Sequence, residues 1–142
     1  MKFQDIISSI DNKVYHPVYF LTGEEGYYID KISDYISKNI LETQEKEFNQ
    51  SILYGKETDI AQIITEAKQF PFGSMHRVVI VKEAQNIRNI EDLEIYLENP
   101  SPSTLLVICY KYKKLDKPKN LGSVINQRAS GFSFCIIERT IS

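Results

Sequence analysis

The 142-residue sequence has no tryptophan, only two cysteines, and no apolar run close to the roughly 18–20 residues that a bilayer-spanning helix needs. Its first residues also lack the apolar core of a signal peptide. Cys109 and Cys135 each stand in an apolar, strand-like run without Cys or His at metal-ligand spacing. We therefore expect two buried small side chains, and a soluble cytoplasmic protein with no metal, no cofactor and no membrane partner.

The chain also lacks a strong excess of either charge. Its net charge of -2 with 25% charged residues excludes a disordered polyelectrolyte and a generally basic nucleic-acid coat. The charge is uneven, because residues 1–100 hold ten basic and seventeen acidic side chains, whereas residues 101–142 hold seven and two. The basic excess lies in one predicted loop, which is either simply solvated or a phosphate contact. Its five lysines are Lys111, Lys113, Lys114, Lys117 and Lys119.

Apolar residues are present at spacings that alternate between the helix and strand periods. They predict helices near residues 3–12, 25–41, 58–67, 89–98 and 121–129. They predict strands over residues 18–21, 48–54, 78–81, 104–110 and 132–137. The most continuously apolar strands are expected to be neighbours inside the sheet: Val18–Leu21, Val78–Val81 and Thr104–Tyr110. This alternation predicts one α/β domain over residues 1–142, with a mainly parallel five-stranded sheet covered on both faces.

The first predicted strand-to-helix turn lies where α/β folds commonly bind phosphate. Its residues are Gly23, Glu24, Glu25 and Gly26. A phosphate-binding P-loop that begins here requires Gly, Lys and Ser or Thr where the chain has Tyr28, Ile29 and Asp30. Without that lysine and hydroxyl the turn cannot hold a γ-phosphate or Mg²⁺ in the usual way. The turn is therefore interpreted as a degenerate phosphate loop, in which the two glutamates stabilise the helix N-terminus.

Residues with other catalytic chemistry form no recognisable arrangement. His16 and His76 have no Ser or Cys partner that the sequence identifies, so a structural role is expected for each. No pair of carboxylates can be placed across a shared pocket. The sequence thus predicts no catalytic site and no metal site.

The segment between the third predicted helix and third predicted strand has a different character, because large apolar side chains occupy a Pro/Gly turn. Its candidate binding residues are Phe70, Pro71, Phe72, Gly73 and Met75. Rigid aromatic side chains in an exposed turn are typical anchors of protein interfaces. The alternative is a hydrophobic staple that folds back on the preceding helix.

Five segments, in their order and spacing, resemble the N-terminal domain of the delta subunit of the bacterial DNA polymerase III clamp loader. They are Lys2–Ile7, Pro17–Glu25, Phe70–Phe72, Arg77–Ala84 and Lys114–Lys117. The resemblance covers nearly the whole chain. It implies a three-layer P-loop NTPase-like fold of the AAA+/RecA-like kind that has lost nucleotide binding. It also implies that residues 1–142 are the N-terminal clamp-binding domain of a longer subunit.

The same resemblance implies a function in DNA replication, namely binding and opening the sliding clamp without ATP hydrolysis by this domain. In the family, the helix-to-strand turn supplies a hydrophobic pair that wedges into the clamp, and this role falls on Phe72 and its neighbours. Many relatives have two adjacent large apolar residues after the proline, whereas Gly73 follows Phe72 here. The second anchor is therefore Phe70 or Met75, or it is missing.

The partners that the resemblance implies belong to one DNA polymerase holoenzyme. They are the sliding clamp (the beta subunit), the gamma or tau and delta prime subunits of the loader, and DNA through the complex. Within such a complex the five lysines of the basic loop are candidates for a contact to DNA or to another subunit.

Two other functions are alternatives to this one. The first is a small nucleotide-binding or nucleotidyl-transfer enzyme with an atypical P-loop-like site, which the missing lysine and hydroxyl disfavour. The second is a DNA-binding module that acts through the basic loop. For such a module, about five phosphate contacts predict a log–log salt slope of about -4.

Overall fold

Helices and strands alternate along the described residues, which are 3–23 and 26–111 together with the backbone of 134–139 in this computed structural model. The α-helices are α1 (Phe3–Asp11), α2 (Gly26–Asn39), α3 (Thr43–Asn49), α4 (Ile60–Ala67) and α5 (Glu94–Glu98). The strands are β1 (Val18–Gly23), β2 (Gln50–Tyr54), β3 (Arg77–Lys82), β4 (Thr104–Lys111) and β5 (Phe134–Arg139). Two 3-10 helices, Ala84–Asn86 and Ile90–Leu93, precede α5.

The strands form one sheet in the order β2-β3-β4-β1-β5, and every neighbouring pair is parallel. Ile80 on β3 lies opposite Val107 on β4, and Ile108 on β4 lies opposite Phe20 on β1. These three strands are buried on both faces, as long apolar runs require in a sheet covered by helices. The predicted α/β class, the parallel sheet and the inner position of the three most apolar strands are confirmed.

Alternate residues of each inner strand enter two separate hydrophobic clusters, one on each face. Tyr19 and Ile80 pack with the apolar side of α1 and α2, where Ile32 is fully buried. Phe20 packs on the opposite face with Ile63 of α4 and with apolar residues around α5. The structure therefore has three layers, with helices on both faces of the sheet. The loops lie at the amino edge of the sheet, where the strands begin, and at its carboxyl edge, where they end.

The predicted strand over residues 48–54 is wrong at its start. Phe48 is still helical, because helix α3 ends at Asn49 and β2 begins only at Gln50. The Glu45 carboxylate accepts the Glu42 backbone N–H at 2.9 Å and so helps to fix the start of α3. The charged residues of this helix give no apolar stripe that the sequence pattern could have detected.

Two predicted helices also differ from the structure. Helix α4 begins at Ile60 instead of residue 58, because Asp59 is its N-cap and the Asp59 carboxylate accepts the Gln62 backbone N–H at 2.8 Å. The helix predicted over residues 89–98 is a 3-10 turn over Ile90–Leu93 followed by the short α5. The last strand is described over Phe134–Arg139, while residues 132 and 133 of the predicted strand and the helix predicted over 121–129 lie outside the described residues.

Cys109 lies in β4 with its side chain buried. Desolvation raises the pKa of its thiol to about 11, so the thiol is protonated at neutral pH and packs as a small apolar group, as predicted. The side chain of Cys135 lies outside the described part of the chain. Over residues 3–23 and 26–111, no helix is long and apolar enough to cross a membrane, and no His, Cys, Asp and Glu group could hold a metal ion.

Candidate functional site

The carboxyl edge of the sheet contains the turn over residues 23–26 that is interpreted from the sequence as a degenerate phosphate loop. Gly23 ends β1 and Gly26 begins α2, while Glu24 and Glu25 between them lie outside the described residues. The Lys111 side chain, at the end of β4, crosses the first residue of α2. A Cβ placed on Gly26 would lie 3.2 Å from Lys111 Cε and 3.4 Å from Lys111 Nζ. The Lys111 side chain therefore occupies the space beside Gly26.

Charged side chains at this edge pair with one another. Lys111 Nζ lies 3.0 Å from Asp30 Oδ1 and 3.1 Å from Asp30 Oδ2. Lys82, at the end of β3, lies 4.0 Å from the Asp34 carboxylate, one turn further along α2. Ile29, at the position where a P-loop has its lysine, is buried in the core. Both described lysines beside the loop are therefore paired with carboxylates. The position of the P-loop lysine holds the apolar Ile29 instead.

The amino edge of the sheet has the opposite character, because it presents the aromatic turn, residues 70–75, between α4 and β3. The exposed fractions are 89% for Phe70, 72% for Phe72 and 83% for Met75. A staple packed on the preceding helix would be largely buried, so this exposure disfavours the staple interpretation. Phe70 also lines a groove of about 330 Å³ together with Lys68 and the residues 99–103 that precede β4.

The backbone of the aromatic turn has a fixed path. Gly73 has φ +66°, in the left-handed region that favours glycine, and a Cβ there would meet nothing within 4 Å. Asn49, at the end of α3, is 1% exposed and forms two hydrogen bonds with the main chain of Phe72. Its Nδ2 donates to the Phe72 carbonyl at 2.8 Å, and its Oδ1 accepts the Phe72 N–H at 2.7 Å. The Phe72 main chain is thus held by a buried side chain while its ring faces solvent.

Arg77, the first residue of β3 after the aromatic turn, has a guanidinium group that is almost fully buried. It donates to the Glu66 carbonyl at 2.9 Å and to the Phe48 carbonyl at 3.1 Å. It also donates to the Ser51 hydroxyl at 3.1 Å and forms an ion pair with the Glu66 carboxylate. These contacts connect the ends of α3 and α4 with the start of β2. Because α4 precedes the turn and β3 follows it, Arg77 fixes the elements on both sides of the turn.

Glu45 connects α3 with the aromatic turn at a second point. Hydrogen bonds from the Ser74 hydroxyl and from the Glu42 backbone lower the pKa of its carboxyl group. Glu45 therefore stays ionised at neutral pH and accepts from the turn. The Glu45 carboxyl group thus faces Ser74 of the aromatic turn.

Phe48 is the residue of this surface that the sequence did not reveal. Its side chain is 58% exposed, and its ring centroid lies 5.6 Å from that of Phe72 at an interplanar angle of 58°. The two residues are 24 positions apart, so no periodicity links them. The sequence signal for helix α3 is the spacing of Glu42 and Glu45, which is that of a capping box and predicts a helix in place of the start of the strand.

The remaining predicted site residues are dispersed. Lys111 is paired with Asp30, and the other lysines of the basic loop lie outside the described residues: Lys113, Lys114, Lys117 and Lys119. The His16 ring packs edge-on against Tyr19 at 5.6 Å, and the His76 ring against Tyr15 at 5.0 Å. Both histidine rings therefore make aromatic packing contacts.

Comparisons with known proteins agree with one another. A family model described as DNA polymerase III, delta subunit, matches residues 19–134. The DNA polymerase III subunit delta of Bacillus subtilis is 31% identical over 135 residues, in a match that covers 88% of this chain and 39% of that protein. The solved Bacillus subtilis DNA clamp loader delta protein is similar with a TM-score of 0.80 at 29% identity, over 98% of this chain and 42% of that one.

A more distant solved structure shares the fold. It is a DNA polymerase III gamma subunit-related protein from Thermotoga maritima, 14% identical, with a TM-score of 0.56 over 100% of this chain and 46% of that one. The chain spans less than half the length of each of these relatives.

Proposed function

The chain belongs to the DNA polymerase III delta subunit family, and from this membership we propose that it binds and opens the sliding clamp during DNA replication without hydrolysing ATP itself. The observation that carries the proposal is the aromatic turn, which exposes large apolar side chains on a backbone held by buried polar groups. Such rigid, exposed rings have little conformational freedom to lose on binding, as expected of interface anchors.

The proposed partner for the turn is the sliding clamp, with Phe72 as the main anchor and Phe70, Pro71, Gly73 and Met75 around it. The Bacillus subtilis relative is itself described as a DNA clamp loader protein, which supports this assignment. We propose that residues 1–142 act as the N-terminal clamp-binding domain of a longer subunit. Its further proposed partners are the gamma or tau and delta prime subunits, with DNA bound through the complex.

The carboxyl edge supports the second half of the proposal. A nucleotide at the degenerate phosphate loop would need a free cation for its phosphates, and the described lysines there are paired with Asp30 and Asp34. Tyr28, Ile29 and Asp30 replace the residues that bind phosphate and Mg²⁺ in a P-loop. The domain is therefore proposed to be a P-loop-like, AAA+-related fold that has a protein-binding function.

The clamp assignment is tested with the single variant Phe72→Ala. An interface anchor typically contributes 2 kcal/mol or more, so the affinity for the cognate sliding clamp is expected to fall by at least ~30-fold in a direct titration. The unfolding temperature is expected to stay nearly unchanged, because the side chain is 72% exposed. Ile95→Ala is the matched control, since Ile95 is 71% exposed and belongs to α5 and not to the turn. An unchanged clamp affinity of the Phe72 variant would remove Phe72 from the site.

The absence of nucleotide chemistry is tested by calorimetry of the chain with ATP and Mg²⁺. We expect no saturable binding tighter than about 100 μM, which corresponds to about -5.5 kcal/mol. Tighter binding would favour the alternative, a nucleotide-binding or nucleotidyl-transfer enzyme with an atypical site.

A further inference from the structure

Phe48 and Phe72 form one exposed aromatic pair that comes from two separate elements. Phe48 is the second-last residue of α3, and Phe72 lies in the aromatic turn. Their ring centroids are 5.6 Å apart, within the range in which tilted aromatic rings attract each other. More than half of each side chain remains exposed. The pair is therefore a preformed apolar projection that is twice the size of one ring.

Buried polar side chains hold the main chain beneath both rings. Asn49 hydrogen-bonds the N–H and the carbonyl of Phe72, and Arg77 hydrogen-bonds the carbonyl of Phe48. Asn49 Nδ2 also donates to the Glu45 carbonyl at 3.0 Å, which fixes the amide group itself to α3. The dipeptide Phe48-Asn49 thus supplies one ring and positions the other. This arrangement lowers the entropy lost when the rings are immobilised in a complex.

We propose that Phe48 is the second anchor of the surface that binds the sliding clamp, and that Asn49 is the positioning residue of the Phe48/Phe72 pair. The inference rests on the proposed function, because it requires the partner to be the sliding clamp, with an apolar pocket that accepts both rings. Phe48 thus places a second large apolar side chain beside Phe72, which Gly73, the next residue in the chain, does not supply. Phe70, the other aromatic candidate, lines the groove beside Asn99 and Pro102.

The first test measures clamp affinity for Phe48→Ala, Phe72→Ala and the double variant. Phe48→Ala is expected to weaken binding about tenfold. If the rings act as one unit, the double variant loses less affinity than the product of the two single losses, because each ring supports the other. Tyr27→Ala is the matched control, since Tyr27 is 57% exposed and its ring lies 5.2 Å from Tyr28. This control is expected to keep the affinity of the unsubstituted chain.

The second test separates positioning from general stability. Asn49→Ala is expected to weaken clamp binding about tenfold when Phe72 is present and to have almost no further effect in the Phe72→Ala background. A purely structural role would give the same loss in both backgrounds. Ser33→Ala, which removes the hydrogen bond from the buried Ser33 side chain to the Asp30 carbonyl (3.1 Å), is expected to lower the unfolding temperature without changing clamp affinity. Asn49→Asp keeps the acceptor for the Phe72 N–H and is expected to bind with intermediate affinity.

The outcomes distinguish the inference from the function on which it rests. If Phe72→Ala weakens binding while Phe48→Ala does not, the inference is overturned and the clamp assignment stands. If the unsubstituted chain does not bind the clamp, both are overturned. If Asn49→Ala does not fold, the Phe48 variants still decide the second anchor, because that side chain is 58% exposed and its loss leaves the core intact.

Discussion

The two edges of the sheet differ in the side chains that they expose and in those that they bury. At the carboxyl edge, where α/β proteins commonly bind ligands, Lys82 and Lys111 form ion pairs with carboxylates on α2. At the amino edge, the buried groups are polar and the exposed groups are aromatic, as with Asn49 beneath Phe72. The charged side chains of the carboxyl edge therefore pair with one another. The amino edge exposes an apolar surface whose backbone is held by hydrogen bonds from buried polar side chains.

The difference lies in where the polar interactions are buried. The ion pairs of α2 are solvated, with Asp30 and Asp34 side chains 58% and 57% exposed. The ion pair beneath the aromatic turn is not, since the Arg77 side chain is only 5% exposed. Solvated pairs contribute little to stability, whereas a buried charge that loses its partner is strongly destabilising. The buried ion pair, which is the energetically important one, therefore lies at the amino edge of the sheet.

The largest expected effect on stability is that of Glu66→Ala. The substitution leaves the buried Arg77 guanidinium without its carboxylate, which is expected to lower the free energy of unfolding by about 3–5 kcal/mol. Chemical denaturation measures this loss. Asp34→Ala is the matched control at the other edge, and a loss of similar size there would contradict the contrast between the two edges.

A smaller effect is expected for Gly73→Ala. A side chain at φ +66° is strained although the space around it is empty, so the free energy of unfolding is expected to fall by roughly 1–2 kcal/mol. Because the strain can be relieved by moving the turn, clamp affinity is expected to fall as well. Denaturation and clamp titration of the same variant measure both quantities. A variant with full stability and full affinity would show that the turn does not need this backbone path.

A still smaller effect is expected for Asp30→Asn, which removes the charge that faces Lys111. The pair is largely solvated, so the free energy of unfolding is expected to change by less than about 1 kcal/mol. The variant is also informative about the degenerate loop, because it frees the lysine beside the start of α2. ATP binding gained by Asp30→Asn in calorimetry would mean that the ion pair alone had closed the site.

The pH dependence of the aromatic turn is expected to be a mild effect of Glu45. Because the folded state lowers the pKa of this carboxyl group, its contribution is complete above the ordinary value of 4.5 and is lost as the pH falls through the lowered value. Thermal unfolding of the chain and of Glu45→Gln between pH 7 and about pH 3 measures the difference. The stability lost on acidification is expected to be smaller in the variant. Equal losses would show that Glu45 does not stabilise the turn.

Much of the fold could be predicted from the sequence, because runs such as Val78–Val81 are apolar at every position and fit only strands that are covered on both faces. The exposed turn was also predictable, since Pro71 and Gly73 end the regular elements around Phe72. Helix α3 was not, because its stability comes from capping and from contacts at Asn49 and not from an apolar stripe.

The supporting contacts of the site were out of reach for a related reason. Arg77 joins Phe48 and Ser51, which lie 29 and 26 residues away along the chain. Only the folded sheet brings these residues together, and hydrogen bonds at such separations leave no local pattern. The sequence therefore indicated the exposed residues of the turn, whereas the groups that hold them became visible only in three dimensions.

The contrast between the two edges is tested most directly by amide hydrogen exchange of the chain with and without the sliding clamp. We expect new protection in peptides that cover residues 70–76 and the end of α3 at Phe48 and Asn49. We expect unchanged exchange in peptides that cover the start of α2, residues 26–34. Protection at the start of α2 with none at the aromatic turn would contradict the account. It would place the clamp at the carboxyl edge, where the described lysines are paired with carboxylates.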